Sequence, residues 1–534
     1  MAPPKGSPRS KSESRKESRH LRTSSRRRDF RPSIRDLGLE RSPKFPSSGL
    51  PAPAPLGFVP MDMDLSRTQA IVAKIWDESI LPTLHQYIRI PNQSPIFDPE
   101  WRAHGFMDEA VKLATDWVRS RNIPGCQVEV LRLPGRTPVV LIEVEGKKEG
   151  EILLYGHLDK QPPFEGWREQ EGLGPWTPVE IDGKLYGRGA ADDGYAIFAI
   201  TAAIEAIQAQ GAAHPRLVGL VECCEESGST DLPDYMDKFA ERIGVPRLVI
   251  CLDSGCGDYE RLWNTTSLRG LVAGNLKVEV LTEGVHSGDA SGIVPSSFRI
   301  LRLILDRLED SATGEIRPKE LHAAIPELRR KQVATTAAVL GREIYERLPF
   351  SEGVGPISTD LTELLLNRTW RPSLAVTAVA GMPTLEQGGN VLRPFTAVKL
   401  SLRVPPTLDA RKATDFVKDL LEKDPPYGAR VTFESEKCGF GWEAAAPEPW
   451  LSASLEKASI SFFGKPPCDL GEGGSIPFMA MLGERFPKAQ FLITGVLGPH
   501  SNAHGPNEFL HIAVAKAVTA SVALVISDAA RAGS

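Results

Sequence analysis

The sequence predicts an α/β protein: a mostly parallel sheet flanked by helices, with a smaller ferredoxin-like α+β domain inserted into it. Three observations lead there. Short, nearly continuous apolar runs (ILLY from Ile152, LVGLV from Leu217, LVICL from Leu248, QFLI from Gln490) alternate with helical stretches, the pattern of strands covered on both faces. The stretch AIFAITAAIEAIQAQG, from Ala196 to Gly211, has the composition of a buried helix closed by glycine. From about Gly270 the periodicity runs strand, helix, strand, strand, helix, strand, the order of a split βαβ unit.

Scale and composition agree with that reading. At 534 residues the chain exceeds what one simple core organises, and 41% hydrophobic with 25% charged residues is ordinary for a globular protein. Four segments follow: a tail and linker at 1–62, the first part of the main domain at 63–267, the inserted domain at 268–442, and the rest of the main domain at 443–534. The first fifty residues hold 14 Lys and Arg against 5 Asp and Glu, in Ser/Arg/Pro-rich sequence without apolar periodicity. This predicts a disordered basic tail leading into the Pro-rich linker GLPAPAPLG. Nucleic acid or another anionic surface could be held only through that tail, and its acids and missing amphipathic face speak against an organelle leader.

No stretch has the length and polarity of a secretory leader or a membrane span, since the apolar C-terminal run is interrupted by His511, Lys516 and Asp528 and is expected to pack in the core. Seven cysteines, two of them adjacent (Cys223, Cys224) and Cys251 inside an apolar run, suit buried reduced thiols in a cytoplasmic protein.

The elements follow in order. LSRTQAIVAKIWDESILPTLHQYIRIP and WRAHGFMDEAVKLATDWVRSR are predicted as helices, with His85 and His104 at surfaces or interfaces. QVEVLRLPGRTPVVLIEVEG supplies a strand pair ahead of ILLY. In the inserted domain the strands are LVAGNLKVEVLTEG, SLAVTAVAGM, TAVKLSLRVPP and ARVTFESE, and the helices SSFRILRLILDRLED and ATDFVKDLLEK. An extra segment, 310–370, separates the first of these helices from the second strand and contains the helical-looking ELHAAIPELRRKQVATTAAVLG. PWLSASLEKASISFFG is helical, and GEGGSIPFMAMLGERF is a Gly-rich loop running into a helix.

The chemistry gathers at strand ends. His157 and Asp159 follow the first run, Glu225 and Glu226 the second, Asp253 the third, and His500 and His504 the fourth, while Asp192 precedes the long helix. Parallel sheets bind ligands outside the carboxyl ends of their strands, so these imidazoles and carboxylates would meet on one edge, as a shared cation requires. The positive end of the helix dipole near Asp192 favours its ionised form.

The strings YGHLDKQP, GRGAADDG, ECCEESGS, CLDSG, EGVHSG and NAHGPNE, in this order, resemble the di-zinc peptidase and amidohydrolase family of carnosinase-type dipeptidases, glutamate carboxypeptidases, aminoacylases and succinyl-diaminopimelate desuccinylases. The resemblance covers about residues 65–530. It implies a zinc-peptidase catalytic domain with a lid and dimerisation domain, and two divalent metal ions, zinc with manganese or cobalt as alternatives. It further implies that His157 and Asp253 hold one ion, Glu226 and His504 the other, and that Asp192 bridges them through a residue whose peptide bond to Asp193 is commonly cis. HGPNE selects His504 over His500.

By the same resemblance Glu225 is the general base, Asp159 steadies the His157 imidazole, and His286 of VHSG reaches the reaction centre, in some relatives from the other subunit of a homodimer. Asn390, Arg403, Gly474 and Ser475 match substrate-binding positions. Arg403 would grip a free carboxylate, which implies a dipeptidase or carboxypeptidase acting on small peptides. Gly194 and Tyr195 depart from the family, where Lys often follows the bridging Asp by two residues. The extra segment is shared with the carnosinase-type members. An N-acyl amino acid deacylase would use the same metal site, and a non-catalytic binding protein tethered by its tail is the reading of another class; the complete ligand set and Glu225 oppose the latter.

Overall fold

The computed structural model describes residues 63–532; the basic tail and the Pro-rich linker lie outside the described residues. A six-stranded sheet runs in the order Cys126–Leu131, Val139–Val144, Pro215–Glu222, Lys148–His157, Leu248–Cys251, Gln490–Ile493. The last four strands are mutually parallel, and the first two join antiparallel at one side. Apolar alternation serves both faces. Ile152, Leu154, Leu217, Val221, Leu248 and Ile250 point into one core, and Leu153, Tyr155, Val218, Leu220, Val249 and Cys251 into the other. This is why the strands read as continuous apolar runs.

The larger core is closed by the helices Leu65–Ile75, Ala196–Gln208, Pro449–Phe463 and Ile512–Ala532. Ile512–Ala532 is long and apolar enough to cross a membrane, yet its apolar surface is buried against the other three helices. Its polar residues are tied locally: Trp76 Nε1 donates to Thr519 Oγ1 at 3.0 Å, and Ser454 Oγ to Asp528 Oδ2 at 2.8 Å. The smaller core is closed by Leu232–Lys238 and Pro477–Arg485.

Two helical expectations are corrected. The stretch from Trp101 breaks at Gly105, whose φ of +75° separates Trp101–His104 from Phe106–Ser120. Of the stretch ELHAAIPELRRKQVATTAAVLG only Glu327–Leu340 is α-helix, because Pro326 fixes the extended backbone ahead of it.

Residues beyond Gly270 form a second, four-stranded antiparallel sheet in the order Ser373–Ala380, Phe395–Val404, Gly270–Glu279, Arg430–Gly439. With helices Ser297–Leu308 and Ala410–Glu422 packed on one face, this is a ferredoxin-like layer. The strand Phe395–Val404 alternates half-buried and buried residues, which puts Arg403 on the face away from those helices. Ser373–Ala380 is an edge strand and largely exposed.

The extra segment folds its helices Glu327–Leu340, Glu343–Glu346 and Leu361–Thr369 around Val333, Ala337, Ile344, Leu365 and Leu366. Buried Arg329 fastens this cluster to the main domain: it meets Glu443 at 3.2 Å, and its neighbour Gln332 donates to Asp469 Oδ2 at 2.8 Å.

One contact links the sheet to the chemistry. A methyl group at Gly156 would lie 2.6 Å from Ala196 Cβ and 2.9 Å from Asp193 Oδ2, so the absence of a side chain lets the buried helix and its leading turn approach the end of the His157 strand. Gly156→Ala is expected to lower stability by about 1–3 kcal/mol and to weaken divalent-cation binding with it. Denaturant unfolding with and without added Zn2+ measures both; an unchanged midpoint would show that the site tolerates the displacement.

Candidate metal centre and active site

Each chemical side chain sits where a strand stops. His157 ends its strand, Glu225 and Glu226 stand on the turn three residues beyond Glu222, Asp253 lies two residues beyond Cys251, and His504 occupies the loop after Ile493. Asp192 comes from the turn Ala190–Gly194 ahead of helix Ala196–Gln208, and its peptide bond to Asp193 is cis.

Their atoms form two groups that share one residue. His157 Nε2 lies 3.2 Å from Asp192 Oδ1 and 3.8 Å from Asp253 Oδ2. His504 Nε2 lies 3.0 Å from Asp192 Oδ2 and 3.1 Å from Glu226 Oε2. In each triad the donor atoms fall within 4.8 Å of one another, and the two oxygens of Asp192 face different triads. This mixed nitrogen and oxygen set fits a pair of divalent cations bridged by Asp192.

Two further observations test the fit. Glu226 Oε1 is buried without a hydrogen-bond partner among the described residues. The protonation equilibria are those of crowded anions: burial pushes Asp253 up to about 7 and Glu225 well above the carboxylate range, with neighbouring acids adding to the shift. Burial opposes charge on His157 and, less completely, on His504, whose side chain is half exposed, yet carboxylates raise both, His504 to about 11 through Asp192 and Glu226. Protons stand here where bound cations would neutralise the same charge.

The Nδ1 of His157 lies 3.0 Å from the main-chain carbonyl of Asp159, to which it donates, and 3.6 Å from the Asp159 carboxylate, which leaves Nε2 free toward Asp192 and Asp253. The Asp159 carboxylate also accepts from the backbone N–H groups of Glu225 and Glu226, at 3.1 and 3.0 Å. A carboxylate two residues from a histidine has two routes to steady a site, and here it pins the turn that separates Glu225 from Glu226.

Glu508 was not singled out from the sequence, although it closes the string HGPNE. Its fully buried carboxylate accepts from the backbone N–H of Gly189, Ala191 and Asp192 at 3.1 to 3.3 Å and pairs with Arg188 Nη1 at 2.6 Å. Arg188 then donates to Pro162 O and Gly505 O. The loops bearing Asp192, His157 and His504 are thus tied through one charge. The His504 loop needs such support, because His500, Asn502, His504 and Asn507 all hold positive φ. His500 itself is exposed and belongs to neither triad.

The triads open into a cavity of about 500 Å3 lined by Asp192, Glu225, Asp253, His504, Gly474 and Ser475, with Arg347 and Arg368 of the extra segment also in its wall. Glu225 thus reaches the cavity without being a member of either triad. Three expected substrate or catalytic residues are not among the lining residues. His286 is exposed on the short strand Val285–His286 with Asn390 beside it, where Ser287 N donates to Asn390 O at 2.9 Å. Arg403 lies on the second sheet near Arg269, whose pKa burial lowers to about 10 with the charge of Arg403 adding to the effect. Arg269 in turn donates to Gly473 O, Asn367 O and Arg371 O, so it fastens the Gly-rich loop to the end of the Arg368 helix. The arginines seen in the cavity wall are Arg347 and Arg368; arginines in an insert without a strand-end position carried no signal in the sequence.

Two cation-binding triads at strand ends, open to a polar cavity beside Glu225, suit metal-assisted hydrolysis. Residues 153–528 match the model of Peptidase family M20/M25/M40, and the chain belongs to that family. It is 28% identical to the Cysteinylglycine-S-conjugate dipeptidase of Corynebacterium striatum, over 68% of this chain and 79% of that protein. It is 26% identical to the human Beta-Ala-His dipeptidase, over 87% of this chain and 92% of that protein. Its fold is similar to that of the di-peptidase Dug1p from Saccharomyces cerevisiae, with a TM-score of 0.68 at 22% identity over 88% of this chain and 99% of that one.

Replacing Glu508 by Gln keeps its size and removes its charge. Glu508→Gln is expected to weaken divalent-cation affinity roughly 10- to 100-fold while the circular dichroism spectrum is retained. Competition of Zn2+ against a chromophoric chelator reads the affinity, and an unchanged value would show that the clamp does not shape the metal triads.

Proposed function

We propose that the protein is a two-metal dipeptidase, cleaving the amide bond next to a free C-terminal carboxylate. The observation that carries this is a single cavity joining the paired triads and Glu225 to the guanidinium of Arg368, which makes no ion pair or hydrogen bond with a described residue and has Glu472 as its nearby acid. The chemistry supplied by two bound divalent cations is polarisation of the scissile carbonyl and a lowered pKa for a water. His157, Asp253, Glu226 and His504 would hold them with Asp192 between; zinc suits this donor set, with manganese or cobalt as alternatives.

Glu225 takes the proton of the attacking water and delivers it to the leaving nitrogen. Arg368, with the Gly474 backbone and the Ser475 hydroxyl, fixes the substrate carboxylate and so sets the scissile bond in register with Glu225. Arg403, on the second sheet near the Arg269 that holds the Gly-rich loop, supplies the same grip in the alternative the sequence favours.

His286 supports a further reading. Its exposure on the inserted domain fits a residue supplied to the active site of a second copy. The exposed edge strand Ser373–Ala380, with Val376 and Val379 outward, offers the surface for a homodimer through that domain. The unpaired state of all seven cysteines favours a cytoplasmic setting.

The metal-loaded protein is expected to hydrolyse free dipeptides, to leave the same peptides amidated at the C-terminus uncut, and to act weakly on N-acetyl amino acids. Cleavage of N-acetyl amino acids alone would move the assignment to the deacylases.

Glu225→Gln is expected to keep both metals and lose at least 100-fold in kcat. Mixed with His286→Ala it should regain activity, because one site of the mixed dimer has Glu225 from one copy and His286 from the other. Failure of the mixture to exceed its parents would place His286 outside the partner's site.

A further inference from the structure

Lys160 follows Asp159 in the loop after the His157 strand, and the chemistry above leaves it unused. It is fully buried. Its Nζ donates to Tyr87 O at 2.7 Å and to Ile90 O at 2.8 Å, two carbonyls at the end of the helix Leu81–Ile88. The same nitrogen stands 3.9 Å from the centroid of the Tyr87 ring and 5.4 Å from that of Trp176. Burial lowers the pKa of this amine, and the charge of Glu508, whose carboxylate holds the Asp192 turn, opposes the shift.

The stem of Lys160 packs on that turn. A methyl group at Gly189, whose φ is +79°, would lie 2.6 Å from Lys160 Cε and 2.7 Å from its Cγ, and one at Gly194 would lie 2.1 Å from Tyr87 Cε1. Lysine stem and tyrosine ring thus press on the two ends of the turn, which Gly194 N closes by donating to Gly189 O at 3.0 Å. The Tyr87 hydroxyl donates in turn to Leu158 O at 2.6 Å, and Ser94 N to Lys160 O at 2.9 Å.

A buried amine is costly unless its donors are used, and the carbonyls at a helix end need donors. Both needs are met at Lys160, which holds the loop after His157, the helix end and the Asp192 turn in one register. His157 Nε2 and Asp192 Oδ1, 3.2 Å apart, belong to the same triad, so this register governs the triad's geometry. Lys160 is not among the residues that line the cavity.

We propose that Lys160 is a positioning residue of the metal centre: it sets the turn bearing Asp192 against the end of the His157 strand and so fixes the spacing of these two ligands. This rests on the two-metal reading of the triads.

The test replaces Lys160 by Met, which fills the space of the stem and removes the amine. Three quantities are read: Zn2+ affinity by competition with a chromophoric chelator, the visible absorption spectrum of the Co2+-loaded protein, and kcat and KM for a dipeptide at saturating Zn2+. Lys160→Met is expected to weaken Zn2+ binding roughly 10- to 100-fold, to alter the Co2+ spectrum, and to lower kcat about tenfold with KM kept within about twofold. Affinity and spectrum test the inference without reference to the substrate. A lower melting temperature with wild-type affinity, spectrum and kcat would show that the amine only caps the helix, and overturns the inference. A raised KM at unchanged kcat overturns it as well, by placing Lys160 in substrate binding. Should Lys160→Met not fold, Lys160→Gln, which keeps a donor for one carbonyl, is read in the same way. Wild-type protein that binds no Zn2+ overturns the two-metal reading and this inference with it, whereas a variant that binds Zn2+ as tightly as wild type overturns the inference alone.

Discussion

Carboxylates gathered in a buried cluster are the constraint that orders the rest of this molecule. Asp192, Asp253, Glu225 and Glu226 meet two imidazoles at one edge of a sheet whose interior is apolar. Low-dielectric surroundings make such a set costly unless opposite charge is brought in, and cations serve better than protons because each satisfies several oxygens at once. The apolar strands do not supply that compensation. They bring the side chains to one edge with little freedom to separate, and the unfavourable electrostatics become affinity for metal.

Holding like charges together needs rigid backbone, and the structure meets that need with buried ionic and hydrogen-bonded links outside the triads. The Glu508 carboxylate gathers three N–H groups of the turn that carries Asp192, and Arg188 carries the tie to the His504 loop. Asp159 does the same for the turn of Glu225 and Glu226. In both cases an anion that binds no metal neutralises backbone donors and aims anions that do. The positive φ angles around His504 are sustained by such ties, since a free loop would relax out of them.

How much of this was legible in the sequence follows from the range of each interaction. The parallel strands were legible because burial on both faces leaves no polar alternation, and the ligand-type residues because they stood where those runs ended. Gly105 and Pro326 show the limit of helical periodicity, which carries through residues that backbone geometry does not. Glu508 and Arg188 were missed because their meaning lies in partners hundreds of positions away. The hold of Asp159 on the Glu225 and Glu226 turn was not legible because it runs to backbone groups, and the place of Arg403 on the inserted sheet, with Arg347 and Arg368 in the cavity wall, is set by tertiary packing that no local pattern carries.

That last difference separates chemistry from selection in the architecture. The triads and Glu225 come from strand ends of the central sheet, whose positions are fixed by two apolar cores. The arginines come from a helical segment inserted between elements of the second domain and fastened to the first through Arg329, Gln332 and Arg269. An element held by a few polar links can change length and charge without disturbing the cores, so it can alter which peptide is held while the metal edge stays as it is. The polar character of those links also makes the segment's placement sensitive to single residues, because a buried guanidinium left without its carbonyls or carboxylate is costly. On the proposed assignment, substrate preference is decided where the chain is least constrained by packing, and catalysis where it is most constrained.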